Sequence, residues 1–255
     1  MLLKSGKQDQ LNYYIYDDRR SSGEAAGNAA AELILEELKT KEVINMIFAA
    51  APSQNEILQT LVARSDIPWD RIRAFHMDEY IGLSADAPQC FSNFLKEAIF
   101  ERVPFRSVYY IDASAVDSEQ ECRRYAALLQ EYPVDIVCLG IGENGHIAFN
   151  DPWVADFNDP ELIKPVPLDE VCRKQQVNDG CFASLEDVPT HALTLTIPAL
   201  LRAKHMICTV PAATKRWAVR ETILGSIGEA CPATSMRRHP SAAMYCDAMS
   251  GADLL

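Results

Sequence analysis

His146, Asn150 and Asp151 fall within six residues, directly after glycines at 140, 142 and 145. An imidazole, a carboxamide and a carboxylate brought this close can take up, hold and return a proton, the work of a general acid–base site. The same groups can also do no more than cap backbone amides, so both readings stand. A second pair of acids, Asp78 and Glu79, follows the apolar stretch that ends in Phe75, His76 and Met77. Adjacent carboxylates there are either solvated and ion-paired or a proton-transfer centre. Lys215 lies at the start of a helical stretch, where an ammonium opposes the helix dipole and a bound anion would rationalise it. A solvated surface lysine is the plainer alternative.

The elements that must position these groups are visible as periodicity. Val134, Ile136, Val137 and Leu139 make an apolar run of strand length that stops at Gly140, as in a strand covered on both faces. Further strand-like runs lie at 12–17, 43–48, 71–77, 107–112, 191–196, 205–210 and 242–246. Helical segments at 21–39, 54–64, 91–103, 118–131 and 213–224 alternate with most of them. This alternation predicts an α/β fold: a three-layer, Rossmann-like, mostly parallel sheet with helices on both faces, in one domain over 1–255. In open α/β sheets ligands bind beyond the carboxyl ends of the strands, where glycines let the backbone come close. The polar first ten residues are expected to be loosely held. Prolines at 152, 160, 165 and 167 predict an irregular excursion over 152–167, either a lid or a surface connection.

Composition narrows the function. A formal net charge of −12 argues against nonspecific nucleic-acid binding, which needs clustered Lys and Arg. A phosphorylated substrate must then be met by a local site against an unfavourable global field. The eight cysteines show no CxxC pair, and several sit in apolar runs, which reads as buried thiols in a reducing cytoplasm. With no secretory h-region and no run of about 18 apolar residues, the chain reads as cytosolic and without membrane partners. Spacing of Cys and His offers no metal-ligand pattern, and no G-x-G-x-x-G opens a helix, so no metal or dinucleotide cofactor is expected.

Residues 140–152, Gly-Ile-Gly-Glu-Asn-Gly-His-Ile-Ala-Phe-Asn-Asp-Pro, resemble the signature of the glucosamine-6-phosphate deaminase family of the 6-phosphogluconolactonase-like superfamily. Residues 75–83, Phe-His-Met-Asp-Glu-Tyr-Ile-Gly-Leu, resemble a second family segment at the expected place upstream. In the related lactonases the histidine is typically followed by Thr-Ala-Ser-x-Phe-Pro, so this chain sides with the deaminases.

The resemblance implies an enzyme that converts glucosamine 6-phosphate and water to fructose 6-phosphate and ammonia. Asp78 would carry a proton between C2 and C1, and His146 would open the pyranose at its ring oxygen. Asn144 and Asp151 would support His146, and Glu79 would form a supporting ion pair. The turn at 49–54 corresponds to the family's phosphate loop, but Ala50 and Ala51 stand where Gly, Ser or Thr is usual. Its one hydroxyl, Ser53, either meets the phosphate or caps helix 54–64. Gly142 and Gly145 would lie against the sugar, and Lys215 would face its phosphate. Many relatives clamp the phosphate with an arginine. In the corresponding segment, 172–182, Arg173 is the only arginine and lies early for that role, with Gln176 as a weaker amide substitute. His191 reads as a packing or backbone-bonded residue, and Arg237, Arg238 and His239 as reaching the site mouth or a neighbouring subunit. The implied partner is a phosphorylated amino sugar, and a homo-oligomer stays open. Lys164 has no matching arginine, so the allosteric activation of some relatives is not expected. Two alternatives remain: a 6-phosphogluconolactonase-type hydrolase, which needs only water activation by His146, and a non-catalytic sugar-phosphate sensor.

Overall fold

The computed structural model describes residues 1–112 and 114–255. Eleven strands occur among them: β1 (Leu2–Gln8), β2 (Leu11–Tyr16), β3 (Ile44–Phe48), β4 (Ile72–His76), β5 (Asp78–Tyr80), β6 (Ser107–Tyr109), β7 (Ile136–Leu139), β8 (Ile163–Pro167), β9 (His191–Leu195), β10 (His205–Val210) and β11 (Ala242–Asp247). The α-helices among them are α1 (Arg19–Glu37), α2 (Asn55–Ala63), α3 (Phe91–Leu95), α4 (Ser118–Glu131), α5 (Glu170–Asn178), α6 (Ile197–Leu201) and α7 (Arg216–Leu224). Eight strands form one sheet in the order β1-β2-β11-β10-β7-β3-β4-β6. All its pairs are parallel except β1 with β2.

Side-chain alternation along the strands builds two cores. Ile44, Met46 and Phe48 of β3 and Ile136 and Cys138 of β7 face α1 and α2, packing with Ala26, Ala30, Ile34, Ile57 and Leu61. Ile47, Val137 and Leu139 face the other way, into a cluster with Tyr125 and Leu129 of α4 and Ala218 and Val219 of α7. A strand hydrophobic on both faces must be covered on both, and the three-layer α/β arrangement follows. The strand order reverses between β3 and β7, and a crevice opens at such a switch point.

Two expectations are overturned. The first residues are not loose: β1 pairs with β2 around a turn at Asp9, whose φ is 52°. They read as polar because β1 is an exposed edge strand, and lysines such as Lys4 and Lys7 are common on edges that must not pair further. The stretch 152–167 is not wholly irregular either. It contains β8, the edge of a second, antiparallel sheet in the order β5-β9-β8. Pro165 and Pro167 suggested a loop, yet an edge strand tolerates proline because its outer N–H has no partner. This small sheet carries Asp78 at the start of β5, so it positions a candidate catalytic group. Among the described residues no helix is long and apolar enough to cross a membrane.

Candidate active site

A cleft lies beyond the carboxyl ends of β3, β4, β7 and β10, where open α/β sheets bind their ligands. Asp78 and His146, 68 residues apart in sequence, both line it. Ala50, Ala51, Ser53, Gly142, Gln176 and Lys215 line it as well.

His146 is held by the turn that follows β7. Gly142 N donates to His146 O (2.9 Å), and Gly145 N donates to Gly142 O (3.1 Å). A Cβ on Gly142 would lie 2.2 Å from His146 Cε1, so only glycine leaves room for the imidazole. Gly142→Ala is therefore expected to displace the ring and lower kcat/KM by about 10- to 100-fold with the fold intact, checked by steady-state kinetics beside circular dichroism. Gly145 has φ +84° and its added Cβ would meet Cys231 Sγ at 2.5 Å. Its glycine serves the turn, and the cleft lining does not include it, which corrects the expectation that it meets the sugar.

Behind the ring, Asp151 is wholly buried, with Oδ1 2.9 Å from His146 Nδ1. Asn144 Nδ2 donates to the same carboxylate oxygen (2.8 Å), and Asn144 Oδ1 accepts from His146 N (3.1 Å). Burial raises the Asp151 carboxyl, but the imidazole of His146 2.9 Å away, with Asn144 assisting, brings it net below the usual carboxylate range. Asp151 is thus an anion held against the imidazole, and Asn144 steadies both. Asn150 belongs elsewhere: its amide donates to Ile147 O and Leu195 O, tying the loop to β9.

Asp78 is buried at the cleft wall. Burial, with Glu79 adding repulsion, holds its carboxyl well above the usual range. His76 beneath it is fully buried and pushed down to about 4 by desolvation, so the imidazole is neutral. Its Nε2 accepts from Ile111 N (2.9 Å), which leaves Nδ1–H to donate to Asp78 O (3.0 Å). His76 therefore anchors the backbone of Asp78, a role its place in the 75–83 segment did not announce.

Among the described residues Glu79 has no ion-pair partner. Its carboxylate accepts from Tyr80 N (3.0 Å), Phe91 N (2.9 Å) and Ser92 N (2.8 Å), capping the start of α3, and it does not line the cleft. Glu79→Ala is expected to cost at least about 2 kcal/mol by stranding these amides, measured as a fall in the denaturation midpoint.

At the far wall, Lys215 is 6% exposed, and its ammonium makes no salt bridge or hydrogen bond among the described residues. Desolvation lowers its pKa, while the carboxylates of Asp179 and Glu143 pull it back up. Arg173 is not the clamp expected of it. Arg173 donates to Leu185 O (2.6 Å) and Val188 O (2.9 Å), away from the lining, because its helix turns that face toward the 181–190 segment. Gln176 does reach the cleft, joined by Gln175, whose Oε1 accepts from Glu143 N (3.0 Å). Ser53 is no helix cap: Gln54 is the N-cap of α2, without a side-chain bond, and Ser53 Oγ accepts from Gln54 Nε2 (3.3 Å). Gln54 also donates to Thr209 Oγ1 (2.9 Å), linking the 49–54 turn to β10.

Sequence reasoning missed Arg19, Gln175, Asp179 and Thr214, all in the lining. Arg19 carried the same signal as Lys215, a cation at a helix start, but its guanidinium is engaged by Glu56 and Pro52 O. His191 is exposed at the start of β9, outside the cleft lining, with Nδ1 3.0 Å from Thr190 Oγ1, so it is neither the packing nor the backbone-bonded residue the sequence suggested. Arg237 is tied to Asp9 and Gly225 O, and His239 to Ala203 O, so neither reaches the cleft.

Residues 17–151 match the family described as glucosamine-6-phosphate isomerases/6-phosphogluconolactonase. Glucosamine-6-phosphate deaminases of Bacillus thuringiensis and Bacillus cereus are 37% identical over 224 residues, covering 88% of this chain and 83% of theirs. This chain belongs to that family. Among solved structures it is similar to a monomeric glucosamine-6-phosphate deaminase, with a TM-score of 0.85 and 27% identity over 95% of this chain and 99% of that one. The 6-phosphogluconolactonase of Thermotoga maritima shares the family fold, at a TM-score of 0.75 and 20% identity over 93% of this chain and 99% of that one.

Proposed function

We propose that this protein is an enzyme that isomerises and deaminates an amino-sugar phosphate, taking glucosamine 6-phosphate and water to fructose 6-phosphate and ammonia. The observation that carries the reading is one cleft bearing a proton-transfer carboxylate, a His–Asp pair and a largely buried lysine with no hydrogen-bond or ion-pair partner among the described residues: Asp78, His146 with Asp151, and Lys215. The ammonium suits the phosphate, which ends its isolation in a low-dielectric wall. His146 moves a proton at the ring oxygen and opens the pyranose, with Asp151 holding the imidazole and Asn144 holding both.

Asp78 then takes the proton from C2 and returns it to C1, since the two carbons are neighbours and one carboxylate reaches both. A base whose pKa is raised is a stronger proton acceptor once ionised, which suits a carbon acid. Water replaces nitrogen at C2, and ammonia leaves. Every side chain used comes from one chain, so the chemistry does not require the homo-oligomer that the sequence left open.

Ammonia release from a panel of 2-amino-2-deoxyhexose 6-phosphates tests the proposal. Turnover of at least one member, and none of the unphosphorylated sugars at matched concentration, is expected. Silence across the panel would overturn it.

A further inference from the structure

The spacing of cysteines and histidines along the chain shows no metal pattern, but folding creates a cluster. Cys172, in the first turn of α5, is wholly buried against the back of the His–Asp pair. One ligand atom each from His146, Asp151 and Cys172 lies within 4.8 Å of the others. Two atoms there are also unspent. Asp151 Oδ2 is buried without a hydrogen bond, and so is His146 Nδ1, which lies 2.9 Å from Asp151 Oδ1 without a well-aligned bond to it.

We propose that His146, Asp151 and Cys172 form a site for a borderline-soft divalent cation, zinc above all, and that its occupancy silences the enzyme. One imidazole nitrogen, one carboxylate oxygen and one sulfur are a donor set that zinc takes readily, and magnesium or calcium does not. Bond lengths of about 2.0–2.3 Å place tetrahedral donors about 3.4–3.8 Å apart, so small side-chain shifts close the cluster around an ion.

Binding displaces the thiol proton and occupies both Asp151 and the imidazole nitrogen that faces it. The ring can then no longer be reoriented to carry a proton. This consequence for turnover rests on the proposed role of His146, whereas metal binding itself does not.

Cobalt(II) is the probe for binding, because a Co–thiolate bond gives a near-ultraviolet charge-transfer band independent of any activity. One equivalent of Co²⁺ should produce that band in the full-length protein and not in Cys172→Ser. Zinc at ten times its Kd should reduce ammonia release to about a tenth, reversibly with a chelator. Cys172→Ser should keep its basal rate and lose zinc affinity by more than about 10-fold, since even outer-shell changes cost about 10- to 100-fold. No band in the wild type, or an equal band in Cys172→Ser, overturns the site. A zinc-soaked crystal is read without any variant: an anomalous peak bonded to these three residues supports the proposal, and a peak only elsewhere overturns it. A band with no inhibition would keep the site, overturn the silencing, and return the question to the role of His146.

Discussion

Asp78→Asn is expected to lower kcat for ammonia release by about 10²- to 10⁴-fold and, at the same time, to make the protein harder to unfold at neutral pH. Asparagine keeps the shape of the side chain but cannot take the C2 proton. The stability gain follows from the environment of the carboxyl, which burial, and secondarily Glu79, hold well above the usual range. An acid whose folded pKa exceeds its unfolded value stabilises in full below the unfolded pKa, near 4, and that contribution is lost as pH rises through the folded one. Each unit of displacement is worth about 1.4 kcal/mol, and about 1 kcal/mol moves the midpoint of a chain this long by about 2–4 °C. Wild type and variant should therefore melt together near pH 4, and the variant at least about 3 °C higher at pH 8. Thermal scans at the two pH values check this. The acid limb of wild-type kcat/KM should also stand well above pH 4, and a limb at the pKa of a free aspartate would contradict it.

Lys215→Met is expected to raise KM for the sugar phosphate by about 10²-fold with a smaller change in kcat. The phosphate does not react, so its ammonium contact holds ground state and transition state alike, and a lost charge-assisted contact to a phosphate costs about 2–4 kcal/mol. The unliganded protein should become more stable. Desolvation lowers the lysine's folded pKa, so at neutral pH the unfolded chain binds the proton more readily, and stability rises with pH until the group is neutral. Methionine removes that penalty. A ligand at 100 times its Kd stabilises by about 2.7 kcal/mol, so a fixed excess of fructose 6-phosphate should raise the wild-type midpoint and barely move that of Lys215→Met. An equal ligand shift in both proteins would place the phosphate elsewhere.

Much of this site was legible because strand ends advertise themselves. The run before Gly140 and the segment 75–83 each placed a catalytic candidate at a sheet terminus, and the fold brings both to one cleft. Edge strands were not legible, since β1 is too polar and β8 too rich in proline to show an apolar run. Side-chain direction was the second blind spot. Glu79 and Arg173 had suitable types and positions, but one satisfies the amides of α3 and the other the carbonyls of Leu185 and Val188. Residues one or two places from a functional side chain on an element face a different way, so adjacency in sequence is poor evidence of adjacency in a site. Cys172 shows the converse, because only the packing of α5 behind the 140–152 loop brings its sulfur to the His–Asp pair.

Strain is concentrated at the same place. Ala148 and Ala212 have φ of 50° and 84°, and both line the cleft. Left-handed backbone at a residue with a Cβ costs of order 1–3 kcal/mol and persists where surrounding contacts impose it. Here those contacts include Asp247 Oδ2, which accepts from Ala212 N (3.0 Å) just ahead of Lys215.

Side-by-side quantification of ammonia and fructose 6-phosphate from glucosamine 6-phosphate, with wild type, Asp78→Asn and His146→Gln, tests most directly whether the two side chains act on one amino sugar. Equimolar products from the wild type and a collapse of both in each variant are the expected result. Undiminished ammonia from Asp78→Asn, or 6-phosphogluconolactone hydrolysis by a wild type that releases no ammonia, would contradict it.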